Sequence, residues 1–250
     1  MSDYDAWASV YDAWGGRMPE DVAHYVRLAR DADGPIVELG VGTGRVAIEV
    51  VRETGKPALG IDSSPAMLEV ARGKAAGLPL ELRLGDMLEL ELDEPAALIY
   101  VPGRSLLHLH GWSEKRRVFE SVAASLRPGG RFAFNAFAFS HTVAARLDGT
   151  TQEQNGIVQT LRYIPADNRT EIIRDDGATL RLWWATKAEW DGLLDVAGFE
   201  VEELYGGFER EPFTDESLEY VYVARKPGGR RLDGARGAEV PASPAPPQRY

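Results

Sequence analysis

Val22, Tyr25, Val26 and Ala29 recur at helical spacing among Glu20, Asp21, Arg27 and Arg30, which predicts an amphipathic helix from Pro19 to about Ala29. Asp33-Gly34-Pro35 stops it. The short apolar run Ile36-Val37-Glu38-Leu39 then reads as a buried strand, Gly40 to Gly44 as a tight turn, and Arg45 to Glu53 as a helix ended by Gly55. Pro57 to Ile61 gives a second strand, and Ser64-Pro65 supplies an N-cap and a first-turn proline for a helix from Ala66 to Lys74. Further strands are predicted at Leu80 to Leu84, Ala96 to Val101 and Arg131 to Asn135, with a helix from about Ser113 to Leu126. Strand and helix in alternation imply an α/β fold, a doubly wound parallel sheet with helices on both faces.

Beyond residue 140 the rhythm changes. Ile157 to Tyr163, Arg169 to Arg174 and Thr179 to Trp184 read as short strands of a small antiparallel β insertion spanning about 140–185. Thr186-Lys187-Ala188-Glu189 has the capping-box form and opens a helix through Trp190, Leu193, Leu194 and Val196, closed by Gly198. Glu200 to Tyr205 and Ser217 to Ala224 alternate like a final hairpin. The expected organisation is one domain over 1–226 and a proline-rich tail over 227–250, whose composition predicts disorder.

Twenty-eight Lys and Arg stand against thirty-nine Asp and Glu, a formal charge of -11, so neither nucleic acid nor an anionic membrane is expected as a partner. The absence of cysteine removes disulfides, thiolate metal sites and a cysteine nucleophile. No apolar run is long enough to span a membrane and the N-terminus lacks a secretory pattern, so a cytoplasmic location is expected.

The chemistry concentrates at Glu38-Leu39-Gly40-Val41-Gly42-Thr43-Gly44, where strand meets helix and missing side chains let a ligand approach backbone N–H groups. Asp62 follows at the end of the next strand, placed to accept from both hydroxyls of a ribose. Leu84-Gly85-Asp86-Met87 puts another acid at the end of the third strand, suited to an exocyclic amine, with Met87 beside a purine ring. Ligands of such sheets sit beyond the carboxyl ends of the strands, so these turns can converge on one nucleoside.

In the order and spacing of these elements the chain resembles the class I S-adenosylmethionine-dependent methyltransferases, over about Tyr4 to Lys226. The resemblance implies a Rossmann-like seven-stranded sheet whose last strand is antiparallel. It also implies that Glu38, Gly40, Gly42 and Gly44 cradle the methionine part of S-adenosylmethionine. Asp62 is then the ribose ligand, Asp86 and Met87 lie at the adenine, and Ser63, Met67 and Val101 are further cofactor contacts. Tyr11-Asp12 resembles the N-terminal segment that covers the cofactor in small-molecule members, and Leu126-Arg127-Pro128-Gly129-Gly130 their approach to the fifth strand. An NAD(P)-dependent Rossmann oxidoreductase shares the strand, glycine turn and later acid; against it, Arg45 stands where the dinucleotide fingerprint wants Gly or Ala. A protein that binds S-adenosylmethionine without turning it over is the other alternative.

Val101 to Leu109 carries no acid, so no metal is expected there, and it lacks the Asn/Asp-Pro-Pro-aromatic motif of family members acting on DNA or protein amides. A small organic acceptor methylated on nitrogen or oxygen remains, nitrogen being preferred because no strong base stands out. His108 and Tyr11 are the catalytic candidates. For His108 the competing reading is a histidine satisfied by neighbouring backbone; for Tyr11 it is packing on a lid helix. His110, His141 and Arg17 are weaker candidates. Trp183-Trp184 and Phe137 with Phe139 offer either an acceptor wall or packing, and strand alternation turns only one of the two tryptophans toward the pocket.

Overall fold

The computed structural model describes residues 3–14 and 19–228. The chain runs through α1 (Tyr11–Trp14), α2 (Pro19–Asp31), β1 (Ile36–Leu39), α3 (Arg45–Thr54), β2 (Ala58–Asp62), α4 (Pro65–Lys74), β3 (Leu80–Leu84), β4 (Ala96–Val101) and α5 (Gly111–Ser125). It continues with β5 (Leu126–Phe137), α6 (His141–Leu147), β6 (Thr151–Gln154), β7 (Ile157–Ile164), β8 (Arg169–Arg174), β9 (Thr179–Trp183), α7 (Lys187–Val196), β10 (Glu200–Tyr205) and β11 (Glu219–Arg225). Seven strands form the main sheet in the order β10-β11-β5-β4-β1-β2-β3, and β6 to β9 form a separate four-stranded sheet. Within the main sheet β1 to β5 pair in parallel, whereas β11 is antiparallel to both β5 and β10. The fold is the α/β Rossmann-like architecture expected, with the last strand of the chain reversed.

Strand β4 shows why the sheet sits at the centre. All six of its residues are buried. Leu98 and Tyr100 pack with Tyr25, Val46 and Val50 of α2 and α3, while Ile99 and Val101 pack on the opposite face with Phe119 of α5 and Trp190 of α7. A parallel strand covered on both faces must be apolar throughout, and each large side chain so buried stabilises the fold by about 1.5–3 kcal/mol.

Three elements differ from the expectation. Helix α6 was not anticipated; its seven residues are held by Ser140, whose hydroxyl accepts from the Val143 N–H. Strand β6 is the polar run Thr151-Gln152-Glu153-Gln154, with no apolar alternation to mark it, and is fixed by its ladder to β7. Strand β5 begins at Leu126 and carries Pro128-Gly129-Gly130 within it, because Gly129 and Gly130 exchange hydrogen bonds with the main chain of Lys226. Arg17 and the tail beyond residue 228 lie outside the described residues.

The glycine turn after β1 is clamped to β2. The N–H groups of Gly40 and Val41 both donate to the Ile61 carbonyl, at 2.8 and 3.0 Å. Such closeness requires a missing side chain at Gly60, where a Cβ would lie 2.7 Å from Cγ2 of Val41. Gly60→Ala is therefore expected to lower the unfolding free energy by about 1–3 kcal/mol through overpacking, measured by urea denaturation; an unchanged midpoint would show that the turn is free to move away from the strand.

Candidate active site

The carboxyl ends of β1, β2 and β3 and the segment after β4 surround one cavity of about 230 Å³. Gly40, Gly42, Asp62, Ser63, Met67, Asp86 and Met87 are on its wall, together with Tyr11 and His108. The cavity is roofed by the N-terminal segment and by the end of β9.

Asp62 is fixed by main chain. Its Oδ2 accepts from the Gly42 N–H at 2.7 Å and its Oδ1 from the Ser64 N–H at 2.8 Å. The Ser63 main chain also donates to this carboxylate, which has about four lone-pair sites in all and stands on the cavity wall. Burial raises the Asp62 pKa, and the hydrogen bonds from Ser64 and Gly42 act against that rise. Gly42 has a positive φ of 54°, and a Cβ there would meet only the Gly40 carbonyl oxygen, at 4.0 Å. The turn is thus an open cradle with backbone exposed to a ligand. Asp86 is exposed, and its Oδ1 caps the short turn that follows by accepting from the Leu88 N–H at 2.9 Å.

Three residues expected at the cofactor stand behind the wall instead. Glu38 is 1% exposed beneath the turn, its Oε2 unpartnered among the described residues, and burial pushes its carboxyl up to about 8. Gly44 is the N-cap of α3, where a Cβ would press on Ile48. Val101 is fully buried in the core and does not reach the cavity, because strand alternation turns it toward α5 and α7. These residues shape the turn from below.

The N-terminal segment closes the site from above. Trp7 is fully buried and packs with Met67 and Leu180. Asp12 accepts from the Thr43 hydroxyl at 2.6 Å and pairs with Lys74 at 2.8 Å, while Asp5 accepts from the Ser64 hydroxyl at 2.5 Å. Trp14 Nε1 donates to Gln159 of β7 at 2.6 Å, and Arg181 of β9 pairs with Asp3. The segment therefore ties the glycine-turn side of the cavity to the four-stranded sheet.

Tyr4 and His108 meet inside, with the phenol oxygen 2.6 Å from Nε2. Desolvation brings the His108 pKa down to about 4, and a hydrogen bond to the Arg181 main chain only partly offsets this. The imidazole is neutral at pH 7. Because it donates to the Arg181 carbonyl, Nε2 is the acceptor and Tyr4 the donor. Burial, with Tyr11, Asp62 and Asp3 nearby, raises the Tyr4 pKa well above its usual value. Tyr4, Ser105 and Arg181 on the wall were not singled out from sequence; nothing in a linear pattern signals a contact between residues 104 positions apart.

Trp183 lines the cavity, whereas Trp184 stacks on Phe139 with ring centroids 3.9 Å apart. Phe137 lies under the Arg104 guanidinium. His110 is the N-cap of α5, and His141 is exposed at the start of α6. Neither histidine is on the cavity wall.

Residues 36–130 match the methyltransferase domain family. The chain is similar to the cypemycin N-terminal methyltransferase of a Streptomyces species, at 25% identity over 81% of this chain and 87% of that one. It is also similar to the dTDP-4-amino-2,3,4,6-tetradeoxy-D-glucose N,N-dimethyltransferase of Saccharopolyspora spinosa, at 24% identity over 90% of each. Among solved structures, the CcbJ methyltransferase of Streptomyces caelestis superposes with a TM-score of 0.77 and 27% identity, covering 91% of this chain and 99% of that one. These likenesses favour neither an oxidoreductase nor a binder without activity.

S-adenosylmethionine fits the residues present: the open face of Gly42 leaves room for its methionine part, the Asp62 carboxylate on the wall suits a ribose hydroxyl, and Asp86 and Met87 border the far end. Asp62→Ala is expected to weaken binding of S-adenosylhomocysteine by about 1–3 kcal/mol, the cost of leaving such hydrogen bonds unmade; calorimetric titration of the folded variant with unchanged affinity would remove Asp62 from that role. Glycine cradle, convergent acids, sheet order and relatives agree, and the protein is a class I S-adenosylmethionine-dependent methyltransferase.

Proposed function

We propose that the enzyme methylates a nitrogen of a small organic acceptor, without a metal ion. The observation that carries this reading is the neutral Tyr4–His108 pair at the cavity wall. A base with a pKa near 4 is poorly matched to removing a proton from an alcohol or phenol, since efficient general bases titrate near the working pH. An amine that arrives as the free base needs no such group.

S-adenosylmethionine, when bound, supplies a methyl group on a positively charged sulfur. Gly42, Asp62, Asp86 and Met87 would hold it. On this reading Tyr4 and His108 position rather than deprotonate: the Tyr4 proton stays on the Nε2 bond and the pair forms a fixed neutral part of the wall. Tyr11, on the same wall and 5.7 Å from the Tyr4 ring centroid, completes an aromatic surface against which a cation is stabilised. Close alignment of donor and acceptor is the main source of rate in such a displacement, and the N-terminal segment with Trp183 supplies that enclosure.

The relatives point the same way, since one is named an N-terminal methyltransferase and another an N,N-dimethyltransferase of an amino sugar nucleotide. Absence of metal is supported by the lack of an acid between Val101 and Leu109, and by there being no group of three possible ligands among the described residues. A cytoplasmic location and a small-molecule partner belong to the same proposal. The charge of -11 works against a polyanionic partner, and among the described residues no helix is long and apolar enough to cross a membrane.

A panel of paired amine and hydroxyl acceptors, incubated with isotope-labelled methyl donor in the presence of EDTA, tests the assignment. Expected is product from amines alone, with kcat/KM rising with pH toward the acceptor's own pKa and a profile of the same shape in His108→Gln. Methylation of hydroxyls, a requirement for added metal, or loss of the pH profile in that variant would overturn it.

A further inference from the structure

Strand β4 delivers the chain to the cavity wall through a turn in an uncommon conformation. Gly103 and Arg104 follow one another with φ of 65° and 64°, the left-handed region that L side chains rarely adopt. Among the described residues four non-glycine side chains have a positive φ, and of these only Arg104 adjoins a residue of the cavity wall, Ser105. Such a conformation persists where the surroundings over-determine it. The Arg104 guanidinium forks onto Glu219 of β11, with Nη2 2.7 Å from Oε2 and Nε 3.2 and 3.1 Å from Oε1 and Oε2. It also lies 5.8 Å from the ring centroid of Phe137, the residue opposite Glu219 in the ladder between β11 and β5. The Glu219 carboxylate is buried, and its Oε1 accepts from Asn135 Nδ2 at 2.6 Å. A carboxylate only accepts, so the amide oxygen of Asn135 faces the other way, where it accepts from the Tyr25 hydroxyl of α2 at 3.0 Å. The fork is thus anchored in β5, β11 and α2.

The turn carries part of the wall directly. Ser105 Oγ donates to the Pro102 carbonyl at 2.9 Å, and a Cβ at Gly40 would lie 2.9 Å from both Cβ and Oγ of Ser105. The turn after β4 therefore packs against the glycine turn after β1. His108 ends the single helical turn that Ser105 begins. We propose that Arg104 and Glu219 are positioning residues of the methyltransferase: their fork holds residue 104 left-handed and so fixes where Ser105 and His108 stand relative to Gly40. The inference rests on the methyltransferase reading of the cavity. Neither residue of the fork is on the wall itself, so both act through the turn. Two donors in one plane are what a bidentate grip on a carboxylate needs; a lysine would keep the charge and lose the fork.

The test is calorimetric titration of the full chain and its variants with S-adenosylhomocysteine, beside the thermal midpoint of each without ligand. Arg104→Ala is expected to weaken binding about tenfold and Arg104→Gly clearly less, since glycine takes the left-handed conformation without strain. A side chain that acted by touching the ligand would lose as much in either variant. Arg104→Lys is expected to fall close to Arg104→Ala, because the charge without the fork does not hold the turn. Glu219→Gln is expected to cost about as much as Arg104→Ala and to add nothing further in the double variant, as two halves of one interaction do. A lowered thermal midpoint with unchanged affinity in the folded variants would show that the pair supports the fold alone, and would overturn the proposal. Equal losses in Arg104→Ala and Arg104→Gly, full affinity in Arg104→Lys, or additive losses in the double variant would do the same. Arg104 is in a partly exposed turn, so the series at position 104 decides should Glu219→Gln not fold. Failure of the unaltered chain to bind S-adenosylhomocysteine would overturn the methyltransferase reading and this inference with it, whereas binding that no variant alters overturns the inference alone.

Discussion

The site depends on how closely the glycine turn can approach the second strand. Two turn N–H groups share the Ile61 carbonyl and a third reaches Asp62, so the turn and the Asp62 carboxylate are held by the same short piece of backbone. Nothing larger than glycine at position 60 is compatible with that approach without displacing Val41. Asp62 therefore orders the glycine turn from the side while standing on the cavity wall. Glu38, under the turn and fully buried, is held close to neutrality by the same desolvation that makes the floor rigid.

Closure from above is built differently, from polar and aromatic contacts between parts of the chain far apart in sequence. Asp12 reaches Thr43 and Lys74, Asp5 reaches Ser64, and Trp14 reaches Gln159. Only Trp7 anchors this segment by complete burial. Each exposed ion pair is worth little, so the segment is held by packing of Trp7 against Met67 and Leu180 and directed by the polar contacts.

The parts legible in the sequence were those encoded locally. Ser64-Pro65 and Thr186 with Glu189 announced their helices because a cap is a contact between residues three apart, and both caps are present. The cofactor cradle was legible because its glycines and acids sit at strand ends in fixed order. Val101 was misplaced for the same reason: the motif marks the strand, but which face a residue takes is set by pairing register. Tyr4 against His108, and Trp183 on the same cavity wall, depend on the four-stranded sheet folding back over the first strands. No periodicity carries that information. Polar β6 likewise exists only because β7 offers it a ladder.

One physical effect runs through several of the buried titratable groups at and near the cavity. Desolvation pushes His108 down to about 4 and Lys115 to about 8, and raises Tyr4, Asp62 and Glu38. Each moves toward its neutral form, as a low-dielectric surround demands. An acceptor entering the same surroundings is subject to the same push. For an amine, neutral means the free base, which carries the lone pair that methylation needs. For a phenol or alcohol, neutral means the protonated oxygen, which is the weaker nucleophile, and the one imidazole on the cavity wall has itself been made a poor base. On the proposed reading, the burial that makes His108 a weak base is also the condition under which nitrogen requires no activation.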